Sequence, residues 1–480
     1  MAQTTTDQRS SSSPQLFPIL VTLLQAHRSA CRQSRTFWRL CALTLGHVIC
    51  FGRHTVSQVL VALGLGETDW TGFYRLLNRA RLEYPVLCQC LLNELVSDIP
   101  RATPLVVAVD GVQLARHSQR MPGTSWQRHP TTPVFYPGIH RAQRFVDLAV
   151  LLPMSEAGDS RAVPLRWVPA FPEKAVRPAD MAPRKEWEAA VAELHWLRTE
   201  LDALGRQDQP VLSIADGHYS NQGVWTSLPE RTTLVARVAR NRNLFELPEP
   251  QNGKGRPRRY GQKARKPAEW LTESRGWQQA TLVVRGRTIH PRYRVEGPYL
   301  VKGAPACPLF LIVVRGISRI RPKRRLHRDP AFWLVNAAQP TDGQWVLPFS
   351  AAELLTWAWQ RWEIEITHRE LKSAFGLGEQ QQWSEHGAIL APQWTVWTFS
   401  LLVLTAYRAW GLGPGPSLPP GRWWNGSRRW SFTRLWQALR CELWEVGDFR
   451  PVWARTTDKW WKMADWLAAR DHAIAGAHRI

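Results

Sequence analysis

Two short stretches constrain the fold of this chain more than any others. "PLVVAVDGV" (104–112) and "PVLSIADGHYSN" (210–221) are apolar, strand-forming runs that each reach an Asp-Gly pair. Uninterrupted runs of this kind predict strands buried on both faces. The acids, Asp110 and Asp216, then stand at strand C-termini, the sheet edge where ligands bind. The glycine after each allows a sharp turn and close backbone approach. A single such Asp is most often a turn or cap residue. Two on adjacent strands bring two carboxylates together, and these repel unless a cation lies between them. With oxygen donors alone the ion expected is Mg2+ or Mn2+.

The surrounding pattern predicts an α/β chain built on a mixed sheet. Residues 1–14 are polar and read as a disordered tail. Residues 15–98 have helical periodicity. Within them "HTVSQVLVALGLGETDWTGFYRLLNRAR" (54–81) reads as helix, Gly-rich turn, helix, capped by Thr55 or Ser57 and broken at Gly64 and Gly66. Arg75, Arg79 and Arg81 are spaced for one helix side, as in a helix-turn-helix DNA reader, though a plain helical hairpin has the same outline. Residues 99–230 carry both Asp-Gly strands, a hairpin around "SEAGDS" and a helix over 184–204. Residues 231–345 hold β-like runs separated by basic connections. Helices return over 346–410, and 411–480 is a linker followed by a Trp-rich basic region.

The charge points to a polyanion. The chain has 480 residues, with 62 Lys+Arg against 39 Asp+Glu, a net charge of +23. Two basic runs in the β-like region, "GKGRPRRYGQKARK" (253–266) with Arg256, Arg258 and Arg259, and "RGISRIRPKRRLHR" (315–328) with Lys323, Arg324 and Arg325, contain no acid. They fit phosphate contact, or else solvated loops. No apolar run is expected to span a bilayer; the nearest, 399–410, is short and contains Arg408. Nucleic acid is therefore expected as the partner, and not a membrane. Seven scattered cysteines without a CxxC pair suggest reduced, mostly core thiols in a cytoplasmic protein. The 27 tryptophans, many beside Arg or Lys, fit base stacking or ordinary amphipathic helices equally.

A third acid comes from "WQRWEIEITHRELKSAFGL" (359–377), in a helix expected to start at a Ser350 cap and end near Gly376. Around Glu365 stand Arg361 at i−4, His368 at i+3, Arg369 at i+4 and Lys372 at i+7, all on one helical face. This is either an ion-pair ladder or a metal-binding acid framed by phosphate-binding groups. Glu363 and Glu370 read as surface acids. Two strand acids and one helix acid can hold two metal ions for phosphoryl transfer on DNA.

The spacing R-x3-E-x6-K, met by Arg361, Glu365 and Lys372, resembles the Tyr-Arg-Glu-Lys signature of bacterial insertion-sequence DDE transposases, the cut-and-paste type with a β-rich insertion. "ADGHYSN", with Tyr219 three residues after the acid, is similar to that family's second-Asp motif. The resemblance implies a ribonuclease-H-like core with a β-rich insertion and helical N- and C-terminal regions. It implies Asp110, Asp216 and Glu365 as the metal triad for two Mg2+ or Mn2+ ions. Arg361 and Lys372, with His368, Arg369 and Tyr219, would lie against transposon-end DNA. Trp333 is placed like the tryptophan that stacks on a flipped base, or else is a core residue of its strand. The chain departs from the signature where Tyr should stand, at Ala358, between Trp357 and Trp359. The partners implied are transposon ends, target DNA and a second copy of the chain. A non-catalytic DNA-binding regulator and a nuclease without strand transfer are the alternatives.

Overall fold

The computed structural model describes residues 16–445, apart from residues 131, 134, 137, 250–255, 322, 323, 340–342 and 417–427. The tail expected over 1–14, Lys323, and residues 417–427 and 446–480 of the linker and Trp-rich region lie outside the described residues. The chain divides into two compact units: Met1–Leu91, Glu370–Gln381 and Leu390–Ile480 in one, Leu92–Arg369 and Gln382–Ile389 in the other.

Helices come first in the chain: α1 (Leu16–Ala26), α2 (Ser34–Ile49), α3 (Val56–Ala62), α4 (Thr71–Asn78) and α5 (Tyr84–Ser97). Thr55 caps α3, its hydroxyl accepting from the Gln58 N–H at 3.3 Å. Gly64 then takes φ +72°, and the Trp70 indole N–H closes the turn on the Leu65 carbonyl at 2.8 Å. The helix–turn–helix outline is as expected, but the three arginines do not share a helical face. α4 stops at Asn78, leaving Arg75 in its last turn and Arg79 at its C-cap. Ala80, at φ +44°, turns the chain away before Arg81.

The second unit is organised by one large sheet. Its first strands are β1 (Leu105–Ala115), β2 (Thr124–Arg128), β3 (Ile139–Leu151) and β4 (Ala162–Pro169). Helix α6 (Glu186–Ala203) leads to β5 (Val211–Ala215), and the short α7 (Gln222–Trp225) leads to β6 (Thr232–Arg237). Next come β7 (Phe245–Glu246), β8 (Gln278–Gln279), β9 (Leu282–Val284), β10 (Arg287–Ile289), β11 (Arg292–Val301) and β12 (Ala304–Val314). The series ends with β13 (Ile317–Arg321), β14 (Arg324–Arg328) and β15 (Ala331–Asn336). Helices α8 (Ala351–Gln360) and α9 (Trp362–Ser373) follow.

The sheet runs β2-β3-β1-β5-β6-β15-β12-β11-β7, with β4 also on β3 and β8 on β11. β3 is antiparallel to β1 and β4, while β5 and β6 run parallel to β1. Three antiparallel strands, a crossover helix and two parallel strands form a ribonuclease-H-like core. β6, β15, β12 and β11, from the stretch 231–345, continue this same sheet, and β9–β10 and β13–β14 are small separate hairpins. The apolar face formed by Val106, Ala108, Leu212, Ile214, Val235 and Val335 is covered by Leu354, Leu355 and Ile364 of α8 and α9. That contact is what docks the acid-bearing helix pair on the sheet.

The remaining helices are α10 (Gly387–Trp410) and α11 (Phe432–Glu445). α10 corrects the expectation that no segment could span a bilayer, because its length and hydropathy suffice. Its apolar window is wholly buried, as in a core helix. Glu370 is not a plain surface acid either. Its carboxylate accepts from the Phe432 N–H at 3.4 Å, at the start of α11, where helix amides lack partners.

One buried acid gives a stability prediction. Glu193 of α6 lies 3.3 Å from Arg166 of β4, and burial pushes its carboxyl up to about 7 despite that cation. A raised carboxyl pKa means the folded state holds the proton more tightly, so stability falls as pH rises through this range. Relative to Glu193→Gln, the wild type is expected to lose on the order of 2 kcal/mol between about pH 5 and about pH 8, as read by urea unfolding. A pH-independent difference between the two proteins would contradict this.

Candidate active site

β1 and β5 pair in parallel up to Val109 opposite Ala215. The next residue on each strand is an acid. There β5 ends, while β1 runs on to Ala115 against β3. Asp110 is thus mid-strand rather than at a strand terminus. The sheet edge it was expected to occupy exists only on its β5 side. Neighbouring strands lie about 5 Å apart, which brings Asp110 and Asp216 to one level. Asp216 caps a tight turn, accepting from the His218 N–H at 2.8 Å. Burial pushes the Asp110 carboxyl up to about 6, with His368 and Arg361 beside it pulling it down and Asp216 adding to the rise.

The helix expected over 350–376 is two helices. Ser350 caps α8, accepting from the Glu353 N–H at 3.2 Å, and α8 gives way to α9 at Arg361. Arg361 pairs with Glu365 through Nη2, and its Nη1 lies 3.9 Å from Asp110 Oδ2. A single guanidinium therefore links the helix acid to the strand acid.

His368 points inward and does not present itself to DNA as expected. It is 9% exposed. Its Nε2–H donates to Asp147 Oδ2 at 2.8 Å, and its Nδ1 is 3.9 Å from Asp110 Oδ2. Asp147 faces Asp110 directly across the β1–β3 pairing and is fully buried, with Oδ1 unpartnered. Burial raises its carboxyl and the His368 hydrogen bond lowers it. The sequence reading missed Asp147. Its signal was available: it is the one acid inside the apolar strand "RFVDLAVLLPM", and a lone buried charge requires a partner.

Tyr219 is likewise buried rather than open to DNA. Its hydroxyl donates to Glu186 Oε1 at 3.0 Å. Glu186, a second missed acid, also receives Arg144 Nη1 at 2.7 Å. A Cβ on residue 111 would collide with the Glu186 carboxylate, so Gly111 serves this close approach and not a turn. Burial holds the Tyr219 phenol well above its ordinary value, and the charges of Glu186, Asp110 and Asp216 add to this. It is a neutral donor held on Glu186.

The other expected contacts divide. Arg369 and Lys372 are exposed on α9, and Arg256, Arg258 and Arg259 are exposed in the β7–β8 connection. Arg324 and Arg325 lie on β14, with side chains outside the described set. Trp333 is 8% exposed within β15, its ring edge-on to Trp359 at 6.0 Å, so it packs the core instead of offering a face to a base. Ala358 and Trp357 are buried in that same core. Glu363 is a buried acid paired with Arg285 of the β9–β10 turn at 2.7 Å, correcting its reading as a surface residue.

The family model described as "DDE superfamily endonuclease" matches residues 26–297. The chain belongs to the DDE superfamily of endonucleases. As such it is a DDE-type nuclease or transposase. The matched span includes Asp110, Asp147, Glu186 and Asp216 but ends before Glu365, which is related to Asp110 through Arg361. No curated protein matches the chain. Among solved structures, a piggyBac transposase synaptic complex with hairpin DNA is similar at 10% identity and a TM-score of 0.35, covering 96% of this chain and 82% of that one.

Proposed function

We propose that this DDE endonuclease is a DNA transposase whose reacting site is formed by Asp110, Asp216 and Glu365. The observation that carries this reading is that Arg361 ties the helix acid Glu365 to the strand acid Asp110, with Asp216 level with Asp110 on the neighbouring parallel strand. The donor set is all oxygen, which fits Mg2+ or Mn2+ and suits two such ions. Among the described residues no three metal-binding side chains stand close enough to hold an ion as they are. Glu365 is held by Arg361 and has to exchange that partner to join Asp110 and Asp216. Divalent-ion chemistry at such a site supplies an activated water and charge neutralisation on the leaving oxygen.

The chain's own residues do the rest. Asp147 and His368 stand beside Asp110, while Glu186, held by Tyr219 and Arg144, packs against Gly111 next to it. Arg361, once released from Glu365, is placed to take a phosphate, and exposed Arg369 and Lys372 continue the cationic face. The exposed arginines at 256, 258 and 259 would hold more distant DNA. Two ends are joined in transposition, so the working form is a homodimer on DNA, in the bacterial cytoplasm.

Joining separates this reading from its rivals. A duplex copied from the DNA flanking the gene, with a free 3′-hydroxyl, is expected to become covalently attached to a supercoiled plasmid when Mg2+ or Mn2+ is present. Cleavage without joining would leave a nuclease. Binding with neither reaction would leave a regulator.

A further inference from the structure

From Gly111 to Val146 the chain contains Arg116, Arg120, Arg128, Arg141 and Arg144, with His117, His129 and His140, and no acid at all. This acid-free segment lies between the acids of β1 and β3 and forms the β2–β3 hairpin. It also carries the four most exposed large apolar residues among those described: Phe135 at 90%, Tyr136 at 76%, Ile139 at 68% and Trp126 at 65%. Large apolar side chains left this exposed on one hairpin mark an interaction surface.

The pairing arranges these groups. Trp126 lies opposite Arg141 and Arg128 opposite Ile139. The two pairs are two residues apart, so all four side chains share one sheet face. The Arg141 guanidinium is 5.8 Å from the Trp126 ring centroid. β1 pairs with β3 only as far as Ala142, so the part of β3 before it has β2 as its partner and extends past the end of β1. Arg141 to Asp147 is six steps of extended strand, about 20 Å. DNA seated at Asp110 would reach the hairpin within roughly six nucleotide steps.

We propose that the β2–β3 hairpin grips DNA beside the reacting site. Arg128 and Arg141 contact backbone phosphates, and Phe135 and Tyr136 stack on bases unpaired near the cleavage point. The hairpin itself, up to Val146, carries no acid, which favours a polyanion over a protein partner, and rings with open faces suit bases. This inference rests on the reading of the chain as an enzyme acting on DNA.

The test uses the full chain and two fluorescent duplexes, one intact and one with a short unpaired bubble containing 2-aminopurine. Phe135→Ala/Tyr136→Ala is expected to weaken bubble binding by about 10–100-fold, to abolish 2-aminopurine quenching, and to leave the salt dependence of affinity unchanged. Phe135→Trp, which keeps a stacking face, should retain the quenching. Arg128→Ala and Arg141→Ala should each lower the slope of log affinity against log salt by about one on both duplexes. Wild-type affinity, quenching and slope in these variants would overturn the proposal. So would a double variant that becomes monomeric while keeping its DNA affinity, since the surface would then belong to a second copy. Failure of the wild type to bind either duplex would count against DNA as the substrate, whereas binding matched by every variant would count against the hairpin alone.

Discussion

His368→Ala is expected to lower the free energy of unfolding by about 3 kcal/mol. The histidine holds Asp147 at 2.8 Å inside a sheet, where that acid is fully buried and its other oxygen has no partner. Removing only the imidazole leaves a buried carboxyl group without its hydrogen-bond partner, and this is costlier than losing both partners. Asp147→Leu/His368→Leu, which replaces both with apolar groups, should therefore recover most of the loss. Denaturant unfolding of the three proteins measures this. A single variant within about 0.5 kcal/mol of wild type, or a double variant at least as unstable as the single, would contradict the buried-pair account. Since His368 also stands 3.9 Å from Asp110, the stabilised double variant should still cleave DNA more slowly.

Asp110→Asn, Asp216→Asn and Glu365→Gln are each expected to cut the strand-cleavage rate by at least about 10³-fold, on the order of 4 kcal/mol in the barrier. Each keeps the shape of its side chain and removes one anionic oxygen donor. Burial already raises the Asp110 carboxyl, so Asp110→Asn should fold at least as well as wild type. DNA affinity should hold or increase, because a negative charge facing phosphates has been removed. Loss of cleavage with retained binding assigns the acids to chemistry. Parallel loss of both would assign them to structure.

What could be read from sequence was what local pattern controls. The Asp-Gly strands are continuous apolar runs, and the Ser350 cap and the break at Gly64 are single-residue signals. What could not be read depended on long-range pairing. Asp147 meets Asp110 only through the β1–β3 register, and Glu186 reaches the site only because Gly111 lets it in. β2 is short and sits in a Pro- and Gly-punctuated segment without an apolar run, so its hairpin was missed. The break at Arg361 carries neither Gly nor Pro. Trp333 was ambiguous by pattern, and burial decided it. The strands of 231–345 were visible as strands, but not as an extension of the core sheet.

The central claim is that Asp110, Asp216 and Glu365 act together in divalent-ion-dependent cleavage of DNA. Its most direct measurement is the cleavage rate on DNA flanking the gene, titrated with Mg2+ or Mn2+, for the wild type and the three acid variants. Ion-dependent cleavage by the wild type, lost in all three folded, DNA-binding variants, is the predicted result. Cleavage that needs no divalent ion, or that persists in any one of the variants, would contradict the triad.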